Sequence, residues 1–244
     1  MIIKPQQEAK SYQFTTENGH TSWVTNYFGT EPVMDRALPR PQLDVHYPQA
    51  FIVALEPNYT LDPHFHVANQ FQLFISGSGV MARKECKPYS VHYANAYTPY
   101  GPIVAGKDGL SYITIRNGWD DGPRYMPKHR DALRTANREK RHLDPANIRL
   151  VGEEHVSTIF EISDDGLGGW VYRVAPGASA TGPDPRTGGG QCWVVGSGVL
   201  ELDGKSLPPL SCVFVNPDEE ALTFSAASQA QVIALQFPQW PRTD

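Results

Sequence analysis

His64 and His66 stand two apart in the run Pro63-His64-Phe65-His66, and Gln70 follows soon after. Residues i and i+2 of a β-strand share a face, so two imidazoles can converge on one point, the spacing of a pair of metal ligands. If the strand runs unbroken, even steps put Gln70, Gln72 and Phe74 on that face, with Phe65, Phe71, Leu73 and Ile75 on the other. One face would carry chemistry and the other packing. Neutral imidazoles suit a divalent transition metal, Fe, Mn, Ni, Cu or Zn. His92, in SVHYANAY, is a candidate third nitrogen ligand or a partner for a carbonyl, and Tyr93, Tyr97 and Tyr100 are candidates to line the mouth of a site or to fill space.

The elements that must position these residues are strands. From Val45 the texture is β: FIVALE, a turn at Pro57-Asn58, then QFQLFIS, GVMAR, SVHYANAY and SYITIR, each bounded by Gly, Pro or Asn. The pattern resumes at WVYRV and continues through QCWVVGSG, VLELDG, SCVFVN, LTFSA and QVIALQF. The two regions read as copies. Setting Gly77-Ser78-Gly79-Val80 on Gly196-Ser197-Gly198-Val199 also sets Pro57 on Pro176, Asn58 on Gly177, Gln72 on Gln191 and Phe74 on Trp193. In that alignment His64 and His66 fall on Pro183 and Pro185, and Gln70 falls on Gly189, so the second copy lacks the ligands. The expected organisation is an N-terminal arm over 1–44, a first barrel over 45–118, a linker over 119–167 and a second, structural barrel over 168–244. Residues 128–142, KHRDALRTANREKRH, predict a linker helix with Leu133 and Ala136 on its inner side.

The bulk numbers exclude several classes. With 244 residues, 19% charged and 40% hydrophobic, the chain is an ordinary globular protein able to bury a sizeable core. A net charge of -5 argues against a dedicated nucleic-acid binder. Cys86, Cys192 and Cys212 show no C-x-x-C spacing, which disfavours both a disulfide framework and a thiol zinc site and fits a reducing cytoplasm. The start MIIKPQQEAK has no signal-like apolar run, and no stretch is apolar enough for a membrane span, so the expected location is cytoplasmic. Nucleophile-elbow, H-E-x-x-H and dinucleotide-binding motifs are missing, and Thr187-Gly188-Gly189-Gly190 lacks the Lys-Ser/Thr of a phosphate loop.

The spacing from Asn58 through His64, His66 and Gln70 to Gly77 resembles the first motif of the cupin superfamily, a Gly, H-x-H, Glu and Gly in series, with Asn in place of the first Gly and Gln in place of the Glu. Pro99 and Gly101 resemble part of the second motif, P-x-G-x-x-H, which places Val104 at its histidine position. The resemblance implies a bicupin, two all-β antiparallel jelly-roll barrels in one chain, and commonly a homodimer. It implies that His64, His66 and Gln70 hold a metal, the other reading being two polar lumen histidines without one; His92 stays a candidate third ligand, and Gln72 and Phe74 are expected beside the substrate. Dioxygenases, isomerases and decarboxylases all occur on such a fold. Gln in place of Glu removes the charge that would offset the ion and favours an anionic ligand, so the expected partner is a small carboxylated molecule. The alternative expectation is a small-molecule-binding or sensor protein without catalysis.

Overall fold

The computed structural model describes residues 1–15, 21–30, 39–43, 45–136 and 138–239. Contacts divide the chain into two units, Lys10–Asn147 and a second made of Met1–Ala9 with Ile148–Asp244. Both are built of antiparallel strands around their own apolar cores, and the fold class is all-β.

Strand β1 (Ile2–Lys4) belongs to the second unit. The first unit runs through β2 (Lys10–Thr15), β3 (Thr21–Phe28), β4 (His46–Leu55), β5 (Thr60–Leu61), β6 (His64–Phe65), β7 (Gln70–Met81), β8 (Lys84–Cys86), β9 (Ser90–Ala94), β10 (Ile103–Gly118), β11 (Arg124–Tyr125), helix α1 (Arg130–Ala136) and β12 (His142–Asn147). Its main sheet is ordered β12-β9-β7-β10-β4-β3-β2, with β5 on β10 and β8 on β7, while β11 pairs with β6 as a short separate ribbon. Two-residue periodicity decides which side chains turn inward. On β10 these are Tyr112, Thr114 and Arg116, and on β4 they are Gln49, Phe51, Val53 and Leu55. Ile113 and Ile115, out of phase, are buried on the opposite face.

The expected boundaries at 44, 118 and 167 differ from these. β2 and β3, in a region read as part of an arm, pair with each other, and β3 pairs with β4, which extends the first sheet. The expected helix covers only Arg130–Ala136, with Leu133 and Ala136 half-buried. The chain then returns at His142–Asn147 to pair with β9. The strand expected to run unbroken from His64 stops at Phe65, and the next begins at Gln70. No helix among the described residues is long and apolar enough to cross a membrane.

The second unit adds β13 (Val156–Phe160), β14 (Gly168–Val174), β15 (Ser179–Thr181), β16 (Gln191–Ser197), β17 (Leu200–Leu202), β18 (Lys205–Leu207), β19 (Cys212–Val215), β20 (Thr223–Ala226) and β21 (Ala230–Gln236). One sheet is ordered β1-β19-β16-β21-β14-β13 and the other β15-β20-β17-β18.

Backbone conformation fixes how the two copies correspond. Left-handed residues are sterically costly, so matched ones are good markers. Gly77 (φ 75) matches Gly198 (φ 72), Ala82 (φ 53) matches Asp203 (φ 49), and Tyr89 (φ 59) matches Leu210 (φ 67). The upstream turn keeps Asn58 (φ 60) on Gly177 (φ 74). Past that turn the second copy is therefore two residues longer than the letters GSGV suggested. Gln70 corresponds to Gln191 and not to Gly189, whereas the continuous pairing of 60–64 with 104–100, repeated by 179–182 with 225–222, keeps His64 on Pro183.

Candidate functional site

Cross-strand register builds the site. Arg116 on β10 is opposite Gln70 of β7 on one side and Gln49 of β4 on the other. Arg116 Nε donates to Gln70 Oε1 at 2.8 Å, and Nη1 reaches Gln49 Oε1 at 3.4 Å. Just past the end of β10, the buried carboxylate of Asp120 turns back to the same place. Its Oδ1 accepts from His66 Nδ1 at 2.7 Å and from the Gly122 amide at 2.8 Å. Its Oδ2 accepts from the Val67 amide at 2.7 Å, and Arg116 Nη1 lies 3.3 Å from Oδ1. Gln49 Oε1 completes the knot by accepting from the Asp120 amide at 3.0 Å.

Both imidazoles have fixed tautomers. A carbonyl and a carboxylate can only accept, so His64 Nδ1–H donates to the Asp62 carbonyl at 2.7 Å and His66 Nδ1–H donates to Asp120. Each Nε2 then carries a lone pair. That of His64 accepts from the Tyr100 hydroxyl at 3.1 Å, whose oxygen in turn accepts from Gln70 Nε2 at 2.6 Å. The rings lie 5.2 Å apart, nearly perpendicular. Arg116 Nη2 is almost equidistant from the two ring nitrogens of His66, 3.1 and 3.3 Å, which places it over the ring face and not in line with a lone pair.

Burial sets the charge states. It pushes His64 down to about 3, aided by His66. Burial and then the Arg116 guanidinium push His66 down, so both are neutral at neutral pH. For Asp120, burial favours the protonated form, but His66, Arg116 and the hydrogen bonds from His66 and Val67 outweigh it and hold the carboxyl well below its usual range. Burial raises Tyr100 well above an ordinary phenol, keeping it protonated. His92 is also held down to about 3, by burial and then by His142. A histidine that is neutral when folded but titrates near 6.5 when unfolded stabilises fully above pH 6.5, and that stability is lost as pH falls toward the folded value. Around pH 5, His64 and His92 should each contribute a slope of about 1.4 kcal/mol per pH unit. Urea unfolding at a series of pH values checks this, and His92→Gln should remove one share of the slope.

The cavity so lined has a volume of about 160 Å³. Its polar end is made by His64, His66, Gln70, Tyr100, Arg116 and Asp120, and Phe51, Val53, Leu55 and Leu61 form much of its apolar wall. Gln72 lines it and also accepts from His92 Nδ1 at 3.1 Å. His92 Nε2 is buried with no hydrogen-bond partner, and His92 does not line the cavity. Phe74 is buried against Tyr112 in the barrel core. Tyr93 stacks on Phe71 and donates to Asn95, and Tyr97 packs on Phe65; neither lines the cavity. Tyr100 does.

Val104 is not the residue at the second-motif histidine position. It pairs with Val80 and is 38% exposed. Tyr100 exchanges backbone hydrogen bonds with His64 and holds its ring 4.7 Å from that imidazole. Counting back, Asn95-Ala96-Tyr97-Thr98-Pro99-Tyr100 has the P-x-G-x-x-H spacing, and Tyr97 (φ 60) takes the conformation of the motif's glycine. None of the three identities is kept, which is why the letters pointed elsewhere. Arg116, Asp120 and Gln49 were missed as well. The signal for Arg116 was a lone charge in the SYITIR strand.

Solved structures supply the comparison. A bacterial pirin from Escherichia coli, in complex with nickel(II), aligns with a TM-score of 0.60 at 8% identity over 97% of this chain and 98% of that one. Oxalate decarboxylase of Bacillus subtilis, with Mn(II) centres, aligns at 0.60 and 12% over 100% and 78%. A candidate dioxygenase of Nostoc punctiforme aligns at 0.64 and 10% over 99% and 84%. The chain has the bicupin fold. No protein-family model matches the sequence, and no curated protein matches it.

Whether the residues of the first barrel fit a metal is a question of their donor set. His64 and His66 each offer an Nε2 lone pair, as two ligands should. The other positions do not fit a divalent ion as they stand: Gln70 Oε1 faces the Arg116 guanidinium, the Tyr100 hydroxyl keeps its proton, and of the two carboxylates Asp120 is engaged by His66 and two backbone amides and Asp121 by Arg124 at 3.0 Å. Among the described residues no group of three or more His, Cys, Asp or Glu could hold a metal ion. The three cysteines are free and buried, and burial pushes the Cys86 thiol up to about 12, so it is no nucleophile.

Proposed function

We propose that the first barrel binds a small carboxylated molecule and moves a proton on it, an isomerase-type activity. The observation that carries this is the buried Asp120–His66 pair beside Arg116 Nη2, which meets only the face of the His66 ring. Guanidinium is the side chain best shaped for a carboxylate. Asp120 holds the Nδ1 proton of His66, leaving Nε2 as a base that is unprotonated at neutral pH. In the proposed step His66 Nε2 takes a proton from the carbon next to the carboxylate or carbonyl. The electron pair is held as an enolate by Arg116, and His66 returns the proton to a different atom of that enolate. An engineered cavity of about 150 Å³ takes a molecule of benzene, so the ligand is of that order of size.

A panel of small 2-oxo and 2-hydroxy acids, screened by thermal shift, tests the binding. Any acid that stabilises the protein should exchange its C–H for deuterium in D2O, followed by NMR, and His66→Gln should abolish the exchange. Stabilisation without exchange would leave a binding module and no isomerase; no stabilisation by any acid would remove the reading.

A second reading is a metal-dependent enzyme. The two fixed Nε2 lone pairs favour it, as do the nickel and manganese of the similar structures. It requires Gln70 to turn away from Arg116.

A further inference from the structure

We infer that the Arg116 guanidinium is the resident cation of the first barrel, so that the site is built to work without a metal. The inference deepens the function proposed above and rests on it only for the identity of the ligand.

Three features carry it. First, Arg116 Nε takes Gln70 Oε1, the one side-chain oxygen that the first-motif spacing offers to an ion, and Nη2 covers the face of His66. Arg116 is 4% exposed and its guanidinium carbon lies 5.4 Å over the Phe51 ring, so the charge is held inside the barrel. Second, the charges balance as they stand. Asp120 with Arg116, and Asp121 with Arg124, sum to zero around neutral imidazoles, an amide and a phenol. A divalent ion between His64 and His66 would sit a few ångströms from a buried like charge, with no anionic protein ligand of its own. At an effective dielectric of about 20 that repulsion is several kcal/mol, on top of the desolvation of the ion.

Third, the second barrel shows what Gln70 is for. Its counterpart Gln191 donates from Nε2 to Gln236 Oε1 at 2.8 Å, across the same register that sets Arg116 opposite Gln70 in the first barrel. Gln236, at the end of β21, holds there the place that Arg116 holds in the first barrel. In both copies the glutamine ties one inner strand to the next. In the first copy its amide also passes the chain on, accepting from Arg116 and donating to Tyr100, which donates to His64. A carboxylate at position 70 has no hydrogen to donate, so the amide is the group this relay requires.

The test is metal loading of untagged protein. Wild-type chain is incubated in turn with manganese, nickel, zinc and ferrous salts, dialysed, and its metal counted by plasma mass spectrometry, with melting temperature recorded alongside. The expected result is substoichiometric metal and an unchanged melting temperature. The triple variant Gln70→Glu, Tyr100→His, Arg116→Gln supplies a carboxylate and a third imidazole and removes the fixed charge. It should take up about one ion per chain and lose it again when His64→Ala is added. Arg116→Gln alone should fold, because the second barrel already carries glutamine there, and should weaken binding of any acid that stabilises the wild type by about 30-fold or more. Stoichiometric metal in the wild type that disappears in His64→Ala/His66→Ala would overturn the inference. A folded triple variant that still takes no metal would overturn it too, because Arg116 would then not be what excludes the ion. If no acid binds the wild type but the metal results are as expected, the proposed function fails and the inference about Arg116 stands.

Discussion

Asp120→Ala should destabilise the first barrel by about 3–5 kcal/mol, the scale on which a buried ion pair loses one partner. The carboxylate is fully buried and serves four groups at once, the His66 Nδ1–H, the Val67 and Gly122 amides and the Arg116 guanidinium. Removing it leaves a buried cation with no anion in contact and strips the amides of their acceptor. Asp120→Asn should recover only part of the loss, because an Asn amide nitrogen turned to Val67 would set donor against donor. Urea unfolding followed by tryptophan fluorescence and by circular dichroism measures both variants. A change below about 1 kcal/mol for the alanine variant would mean that the guanidinium finds another counter-charge, and Arg124, 3.8 Å from Asp120, brings no such charge.

Gly77→Ala and Gly198→Ala should each cost at least about 2–3 kcal/mol, through the same two causes. Both positions are left-handed, φ 75 and φ 72. At each, a Cβ would press into the carbonyl of the strand that returns alongside, Gly109 in the first barrel and Gln229 in the second. Neither obstacle is a flexible side chain, so backbone must move. Gly196→Ala is the control: that residue meets the Leu150 side chain, which can give way. Thermal unfolding of the three variants decides between the two alignments of the copies. If Gly196→Ala is the costly one and Gly198→Ala is mild, the correspondence drawn from the backbone is wrong.

The strands were legible because each is short, bounded by turn residues and rich in β-branched or aromatic side chains, which is information carried locally. His64 and His66 were legible by type. What lay hidden depended on backbone states and on register between distant segments. Tyr97 gives no letter-level sign that it will adopt a glycine-like turn, so the motif's last residue was placed at Val104 instead of Tyr100. Arg116 and Gln70 lie on different strands, and only the pairing of β10 with β7 shows that one is there to hold the other. The repeated letters GSGV misled by two residues, because in one copy the first glycine makes the turn and in the other the second does. β2 and β3 joined the first sheet because an edge strand such as β4 would otherwise have unpaired backbone groups to satisfy, a demand made by the folded sheet and invisible in the arm itself.

The position of Arg116 also bears on how such a protein comes to be ready for work. A metal centre has to be supplied, with an ion delivered in the right valence and kept from competitors, and it can be emptied by chelation or starvation. A positive charge held on the chain itself is present in every copy as soon as the sheet closes, in the same amount whatever the ions around it.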